Sequence, residues 1–238
     1  MTRIFITGSA DGLGRAAAET LLGEGHEVIV HARDEKRLAA VADLVRRGAL
    51  AVAGDLADMG ETRLVAEQVG RLGGVDVVIH NAGIYTGSLI MPVNVVAPYL
   101  LTALIDGPRR LIYLSSGMHR GGRADVGRLT SGNYSDSKLF VTALAAAVAR
   151  LRAGVVSNCV DPGWVPTKMG GPGAPDDLRL GHLTQEWLAT SDDPEALTTG
   201  GYWHHQKRQT PHPAVGDHRF QDALLAALAD HTGTKPAY

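Results

Sequence analysis

The chain has 238 residues, 45% hydrophobic and 20% charged, with a formal net charge of −2. That suffices for one sizeable core, and a near-neutral balance without a basic run argues against nucleic acid as the main partner. The single cysteine, Cys159, excludes a disulfide framework or thiolate metal site within one chain, and no apolar run approaches bilayer-spanning length. The opening MTRIFITG passes from strand-like residues into a glycine turn without a signal-peptide layout, so a cytoplasmic protein is expected.

In chain order, RIFIT (3–7), EVIVH (27–31), ALAVA (49–53), VDVVIH (75–80), RRLIYLS (109–115) and GVVSNCV (154–160) are nearly continuous apolar runs. Such runs suit strands covered on both faces, as in a parallel sheet. Between them GRAAAETLLGEG, EKRLAAVADLVRRG and ETRLVAEQVGRLGG have helical periodicity, with Gly25, Gly48 and Gly73 placed as C-caps. Regular β–α alternation predicts a doubly wound, Rossmann-like α/β sheet in a single domain over 1–238. The stretch VPTKMGGPGAPDDLRLGH (165–182) is loaded with Gly and Pro and reads as a mobile loop, a substrate lid at about 165–190. GGYWHH reads as a last strand ending on the substrate side, before a final helix.

Directly after the first strand comes TGSADGLG, with Gly8, Gly12 and Gly14 ahead of an alanine-rich helix. Strand, glycine turn and helix together form a pyrophosphate site, because backbone N–H groups and the helix N-terminus face the anion. An ordinary glycine-rich βα turn is the bland alternative. In YSDSK (134–138), Tyr134 and Lys138 stand four apart and share a helix face, an arrangement that a plain helix start with a solvated lysine also produces. Asn94 opens NVVAPYLLTAL, and Pro98 has no N–H for the residue-94 carbonyl. That carbonyl is either freed for another partner, or Pro98 sits harmlessly in a first turn.

Taken together, T-G-x-x-x-G-x-G and YSDSK resemble the short-chain dehydrogenase/reductase family, over most of the chain. The resemblance extends through Asp55-Leu56, His80-Asn81-Ala82-Gly83, Asn94, Ser115-Ser116, Asp161-Pro162-Gly163 and Thr167, in the family's order. It implies a nicotinamide cofactor held at Gly8, Ser9, Gly12, Leu13, Gly14, Asp55, Leu56, Asn81, Ala82, Gly83, Tyr134, Lys138, Pro162, Gly163, Val165 and Thr167. It implies Tyr134 as general acid/base, with Ser116, Lys138 and Asn94 as catalytic partners. Ser116 is chosen over Ser115 because relatives with two serines here use the second. The Asn94 main-chain carbonyl would hold a water linking Lys138 to solvent. A free tyrosine titrates near 10, and the Lys138 ammonium is expected to lower that value. The long connection from Ser116 to Tyr134 resembles the retinol-dehydrogenase-like branch and makes the Ser–Tyr geometry a point to check.

At the second strand's end, where the family places an aspartate for the ribose hydroxyls, stands Ala32, followed by Arg33. Exchanging a carboxylate for a guanidinium favours a 2′-phosphate, so NADP(H) is expected over NAD(H), with Arg15 and Arg37 adding field. Asp11, where many NADP-preferring relatives carry a basic residue, pulls the other way.

Weaker features complete the reading. His80 replaces the first asparagine of the family's N-N-A-G, altering its bracing role. His204-His205 lack a third ligand at a recognisable spacing, so no metal is expected. Trp164, Met118, Tyr85, Met169 and Trp187 are either walls of an apolar pocket or ordinary packing, and His119 is expected to be a solvated loop residue. The apolar helix LFVTALAAAVARL suits a homo-oligomer face or plain core. The expected activity is carbonyl–alcohol interconversion on a small, moderately apolar molecule. The rivals are an isomerase or dehydratase on the same fold, whose C-terminal substrate regions are usually longer, and a non-catalytic NADP-binding regulator, which typically lacks the tyrosine or lysine.

Overall fold

Alternate residues of each central strand enter two separate cores. In β1 (Arg3–Ile6), Phe5 faces one core, while Ile4 and Ile6 face the other, and all three are fully buried. The computed structural model describes residues 1–236. The eight strands lie in the order β3-β2-β1-β4-β5-β6-β7-β8, parallel except for the last pair. They are β2 (Glu27–Ala32), β3 (Leu50–Ala53), β4 (Val77–His80), β5 (Arg110–Leu114), β6 (Val156–Asp161), β7 (Tyr202–His204) and β8 (Lys207–Gln209). The order reverses between β1 and β4, and the carboxyl ends beside that reversal are where such sheets bind ligands. The expected doubly wound α/β sheet is the one observed.

One face carries α4 (Met59–Arg71), α5 (Ala97–Leu104), α6 (Tyr134–Leu151) and α8 (His218–Thr232); the other carries α1 (Gly12–Gly23) and α7 (Leu178–Thr190). Asn133 and Asp136 start α6 with a capping box. Nearly every residue from Asp136 to Val148 is buried between β5, β6 and α8, so this helix is core within one chain.

Three elements differ from expectation. The second predicted helix breaks into α2 (Glu35–Leu38), a 3₁₀ turn and α3 (Ala42–Arg46); the break lets Val41 and Leu44 both reach full burial. The Ala40 carbonyl at that break accepts from Arg15. The helix containing Asn94 starts earlier than predicted, and Pro92–Val96 winds as a π-turn in which the Ala97 N–H bonds the Pro92 carbonyl. Pro98 supplies the physical reason, since its ring crowds the preceding carbonyls and removes one donor. Asn94 therefore lies inside the π-turn rather than opening a helix, while Pro98 is the second residue of α5. Finally, β8 pairs antiparallel with β7 through a two-residue turn at His205 and Gln206, both at positive φ (49° and 59°).

Candidate active site

The glycine turn is held from three sides. Asn81 Nδ2 donates to the carbonyls of Thr7 (2.9 Å) and Gly8 (3.3 Å), while Thr7 Oγ1 accepts from the Ala82 N–H at 2.9 Å. His31, which the sequence reading passed over, accepts from the Gly8 N–H through Nδ1 at 3.0 Å and donates through Nε2 to the Gly54 carbonyl at 2.9 Å. Both ring nitrogens are committed, so the ring is neutral, and burial pulls it below the usual imidazole range. Ser9 Oγ donates to the Ile6 carbonyl and accepts from the His31 N–H. Ser9 therefore braces the turn from behind.

Beside the turn lies a cavity of about 550 Å³. Of the residues singled out for a cofactor, Gly8, Gly12, Leu13, Arg33, Asp55, Leu56, Asn81, Ala82, Gly83, Tyr134, Lys138, Pro162 and Thr167 line it. Ser9, Gly14, Gly163 and Val165 do not; a Cβ on Gly14 would lie 2.3 Å from Asn81 Nδ2, so that glycine serves packing of the turn. Ser116 and Asn94 also stand outside the lining.

At the end of the cavity beside β2, Arg33 is largely exposed, with Asp34 at 3.6 Å as its only ion partner among the described residues. Arg37 reaches Asp11 at 3.7 Å, and Lys168, which the sequence reading missed, pairs with the same carboxylate. The Lys168 hydrogen bond holds the Asp11 carboxyl below its usual range. Arg15 adds no field here: it turns away to Glu19 (2.9 Å) and Asp43 (2.6 Å). Asp55 Oδ1 caps its own turn by accepting from the Ala57 N–H at 2.9 Å.

Tyr134 stands at the first turn of α6. The Ser116 side chain stands near enough to the phenol to favour its ionised form, and Tyr85 packs edge-on against the ring at 4.7 Å. The long insert between Ser116 and Tyr134 thus leaves the two side chains near one another. It folds as two 3₁₀ turns, Gly117–Gly121 and Val126–Thr130, tied down by Asp136. That buried carboxylate accepts from the Arg123 N–H, Arg128 Nε and the Asn133 N–H at 2.7–3.0 Å. Burial alone would raise it, but these bonds outweigh burial and hold it low. Ser115 is spent on Thr142 Oγ1 at 2.6 Å, leaving Ser116 as the serine that meets Tyr134.

Lys138 contradicts one expectation. Its Nζ donates to the Leu114 carbonyl at 2.8 Å and lies 5.5 Å from the Tyr134 ring centroid. Burial lowers the lysine to about 8 and raises the tyrosine to about 12, with Asp161 and Tyr85 adding to the rise. The phenol is therefore held protonated by desolvation rather than lowered by the ammonium. Asn94 acts through its side chain: the amide accepts from the Ile84 N–H and donates to the Ile84 carbonyl, each at 2.9 Å, and donates to Ser137 Oγ at 3.0 Å. Ser137 in turn donates to the Tyr134 carbonyl.

His119 is fully buried rather than solvated; Nδ1 donates to the Ser116 carbonyl at 2.7 Å and Nε2 accepts from the His212 N–H at 2.9 Å. Trp187 packs edge-on against the buried Trp203 at 5.2 Å and does not line this cavity; Tyr85, Met118, Trp164 and Met169 are all exposed, and of these Met169 lines it.

The residues 2–106 match the family model described as short chain dehydrogenase. The chain is 36% identical to an uncharacterized oxidoreductase of Emericella nidulans, over 98% of each chain. The chain belongs to the short-chain dehydrogenase family. It is also 37% identical, over 99% of each chain, to the short-chain dehydrogenase chyC of Penicillium rubens. Among solved structures, a blue fluorescent protein from a metagenomic library, in complex with NADPH, superposes with a TM-score of 0.72 at 26% identity. The match covers 85% of this chain and 95% of that one.

This short-chain dehydrogenase departs from its family at His80. The ring turns into the core, stacked on Tyr113 at 4.5 Å with Nε2 3.2 Å from Thr102 Oγ1, and burial drops it to about 3. Both His31 and His80 have folded values below the unfolded 6.5, so the unfolded chain binds more protons as pH falls. Their stabilisation is complete above pH 6.5 and is lost as pH drops below it, down to about 3 for His80, at up to about 1.4 kcal/mol per unit for each. Urea melts at descending pH are expected to show this loss, and His80→Asn is expected to flatten it. A parent and variant with parallel pH profiles would remove His80 from the account. Among the described residues no helix is long and apolar enough to cross a membrane.

Proposed function

We propose that this short-chain dehydrogenase interconverts a carbonyl and an alcohol on a small, moderately apolar molecule, with NADP(H) preferred over NAD(H). The observation that carries the reading is a half-buried, protonated Tyr134 phenol on the cavity wall, with Ser116 beside it and Lys138 one helical turn on. When bound, the nicotinamide supplies the hydride. The cavity fits such a group: the Gly8 and Gly12 backbone opens on it, and Gly83 brings no side chain between it and Lys138. Gly8, Gly12 and Leu13 would hold the pyrophosphate; Asp55 and Leu56 the adenine side; Asn81 to Gly83, Lys138, Pro162 and Thr167 the nicotinamide side.

Tyr134 Oη holds the proton that a substrate oxygen takes up. The Ser116 hydroxyl donates to that oxygen as charge gathers on it. Lys138 keeps a cation beside the phenol so that the proton can be replaced. Asn94 and His119 hold the backbone beneath Tyr134 and Ser116 respectively, through Ser137 and the Ser116 carbonyl. Exposed Tyr85, Met118, Trp164 and Met169 support an apolar substrate, and the segment at about 165–190, joining irregular turns to α7, would cover it. The long insert is what supports a retinol-dehydrogenase-like branch.

For the cofactor preference, the support is convergence of Arg33, Arg37 and Lys168 at one end of the cavity. Arg33→Ala is expected to weaken NADPH by about ten-fold and NADH by less than about two-fold, read by fluorescence titration. Equal losses would refute the 2′-phosphate assignment. The metagenomic neighbour in complex with NADPH supports a nicotinamide cofactor of this kind.

A further inference from the structure

Asp161 ends β6 beside the proton-donating pair. The last bond between β5 and β6, from the Ser115 N–H to the Val160 carbonyl at 2.7 Å, brings Asp161 alongside Ser116. Its Oδ2 lies 3.1 Å from where a Cβ on Gly117 would sit. The Tyr202 hydroxyl donates to Oδ2 at 3.0 Å and the Gly163 N–H to Oδ1 at 3.1 Å. A carboxylate offers about four acceptor positions, so about two are left over.

No described cation neutralises it by an ion pair. Lys138 gives one N–H to the Leu114 carbonyl and makes no ion pair with Asp161. Arg120 lies over the Tyr202 ring at 5.4 Å and donates to the Thr210 carbonyl. His119 has both nitrogens engaged by backbone, and His204 Nδ1 bonds the Asp161 main-chain carbonyl. Tyr134 is faced by Lys138 from its own helix, Tyr85 from the loop after β4, Ser116 from the end of β5 and Asp161 from β6. Of these only Asp161 is anionic, and its field reaches both the phenol and the ammonium, raising each.

We propose that Asp161 is a specificity-determining residue of the substrate site. It accepts a hydrogen bond from a substrate N–H or O–H and repels substrates that carry a carboxylate or phosphate near the reacting carbonyl. This rests on the carbonyl-reductase reading above.

The test uses two aldehydes of one shape, 4-(hydroxymethyl)benzaldehyde and 4-carboxybenzaldehyde, reduced with NADPH by the parent protein and by Asp161→Asn. The parent is expected to prefer the hydroxymethyl compound. Asp161→Asn, which keeps size and one acceptor, is expected to shift the ratio of kcat/KM toward the carboxylate by about ten-fold or more, the effect of removing one charge a few ångströms away. A residue that only braced the 162–163 turn would lower both substrates alike, and an unchanged ratio overturns the proposal. Failure of the parent to reduce either aldehyde overturns the reductase reading instead. Ultraviolet titration of tyrosinate, with Tyr134→Phe identifying the signal, then decides Asp161: ionisation of Tyr134 at lower pH in Asp161→Asn supports the anionic wall, and an unmoved titration sinks it.

Discussion

Replacing Tyr134 with phenylalanine is expected to lower turnover about a thousand-fold while changing NADPH affinity by less than about three-fold. The two halves have separate causes. The ring stays, so its edge-on contact with Tyr85 and the wall it gives the cavity are retained. Only the hydroxyl goes, and with it the proton that Tyr134 presents on the cavity wall. Phenylalanine also relieves the cost of burying a phenol, so the variant should fold at least as stably as the parent. Single-turnover reduction, with cofactor binding measured separately, checks both halves. A variant with near-parental rate would take Tyr134 out of the mechanism. Loss of NADPH binding would mean that the phenol holds cofactor rather than substrate.

The pH dependence of that reaction follows from the same burial. With the phenol held near 12 rather than lowered by Lys138, the proton donor stays charged with its proton through the neutral range. In the proposed reaction this favours reduction. The oxidising direction would need the phenolate, which the protein alone reaches only at strongly alkaline pH and which the charge of an oxidised nicotinamide would favour.

What was legible in the sequence was whatever a periodicity or a fixed spacing records. Strands buried on both faces show as unbroken apolar runs, and all six that were read this way are strands, within a residue or two at their ends. The glycine turn and the Tyr134–Lys138 spacing likewise mark a place without a partner alignment. Hidden were features set by tertiary context. β8 is Lys-Arg-Gln, wholly polar, and the turn before it uses His205 and Gln206 where Asn-Gly would have announced it. His31 reads as one more residue of an apolar strand, yet it accepts from the Gly8 N–H. His119 looked solvated because it lies among glycines and arginines; burial comes from the His212 backbone, 93 positions away in sequence. Lys168 sits in a loop with no pattern at all, and only folding brings it to Asp11. The direction of the Tyr134 shift was misread for a related reason: proximity in sequence suggests a charge effect, whereas burial, which a sequence does not display, is the larger cause.

Gly8→Ala is expected to abolish measurable cofactor binding, a loss above about a hundred-fold, and to destabilise the fold by about 2–4 kcal/mol. Two independent obstacles act at this position. The backbone sits at φ +65°, which costs an L-residue roughly 1–2 kcal/mol. The added Cβ would also lie 2.9 Å from the Ala82 Cα, which is backbone and has no rotamer by which to retreat. Relief requires the turn and the segment after β4 to separate. That separation would break the bonds joining Thr7 and Gly8 to Asn81 and Ala82, and with them the His31 contact to the Gly8 N–H. Gly12→Ala is the control, because its φ of +54° carries the same backbone cost while its Cβ would meet only Thr167 at an ordinary 3.5 Å. Thermal melts and NADPH titration of the two variants then separate backbone strain from collision. If Gly12→Ala loses as much stability as Gly8→Ala, strain alone governs the turn. If Gly8→Ala still binds NADPH well, the cofactor does not lie over this turn, and the cavity's assignment falls with it.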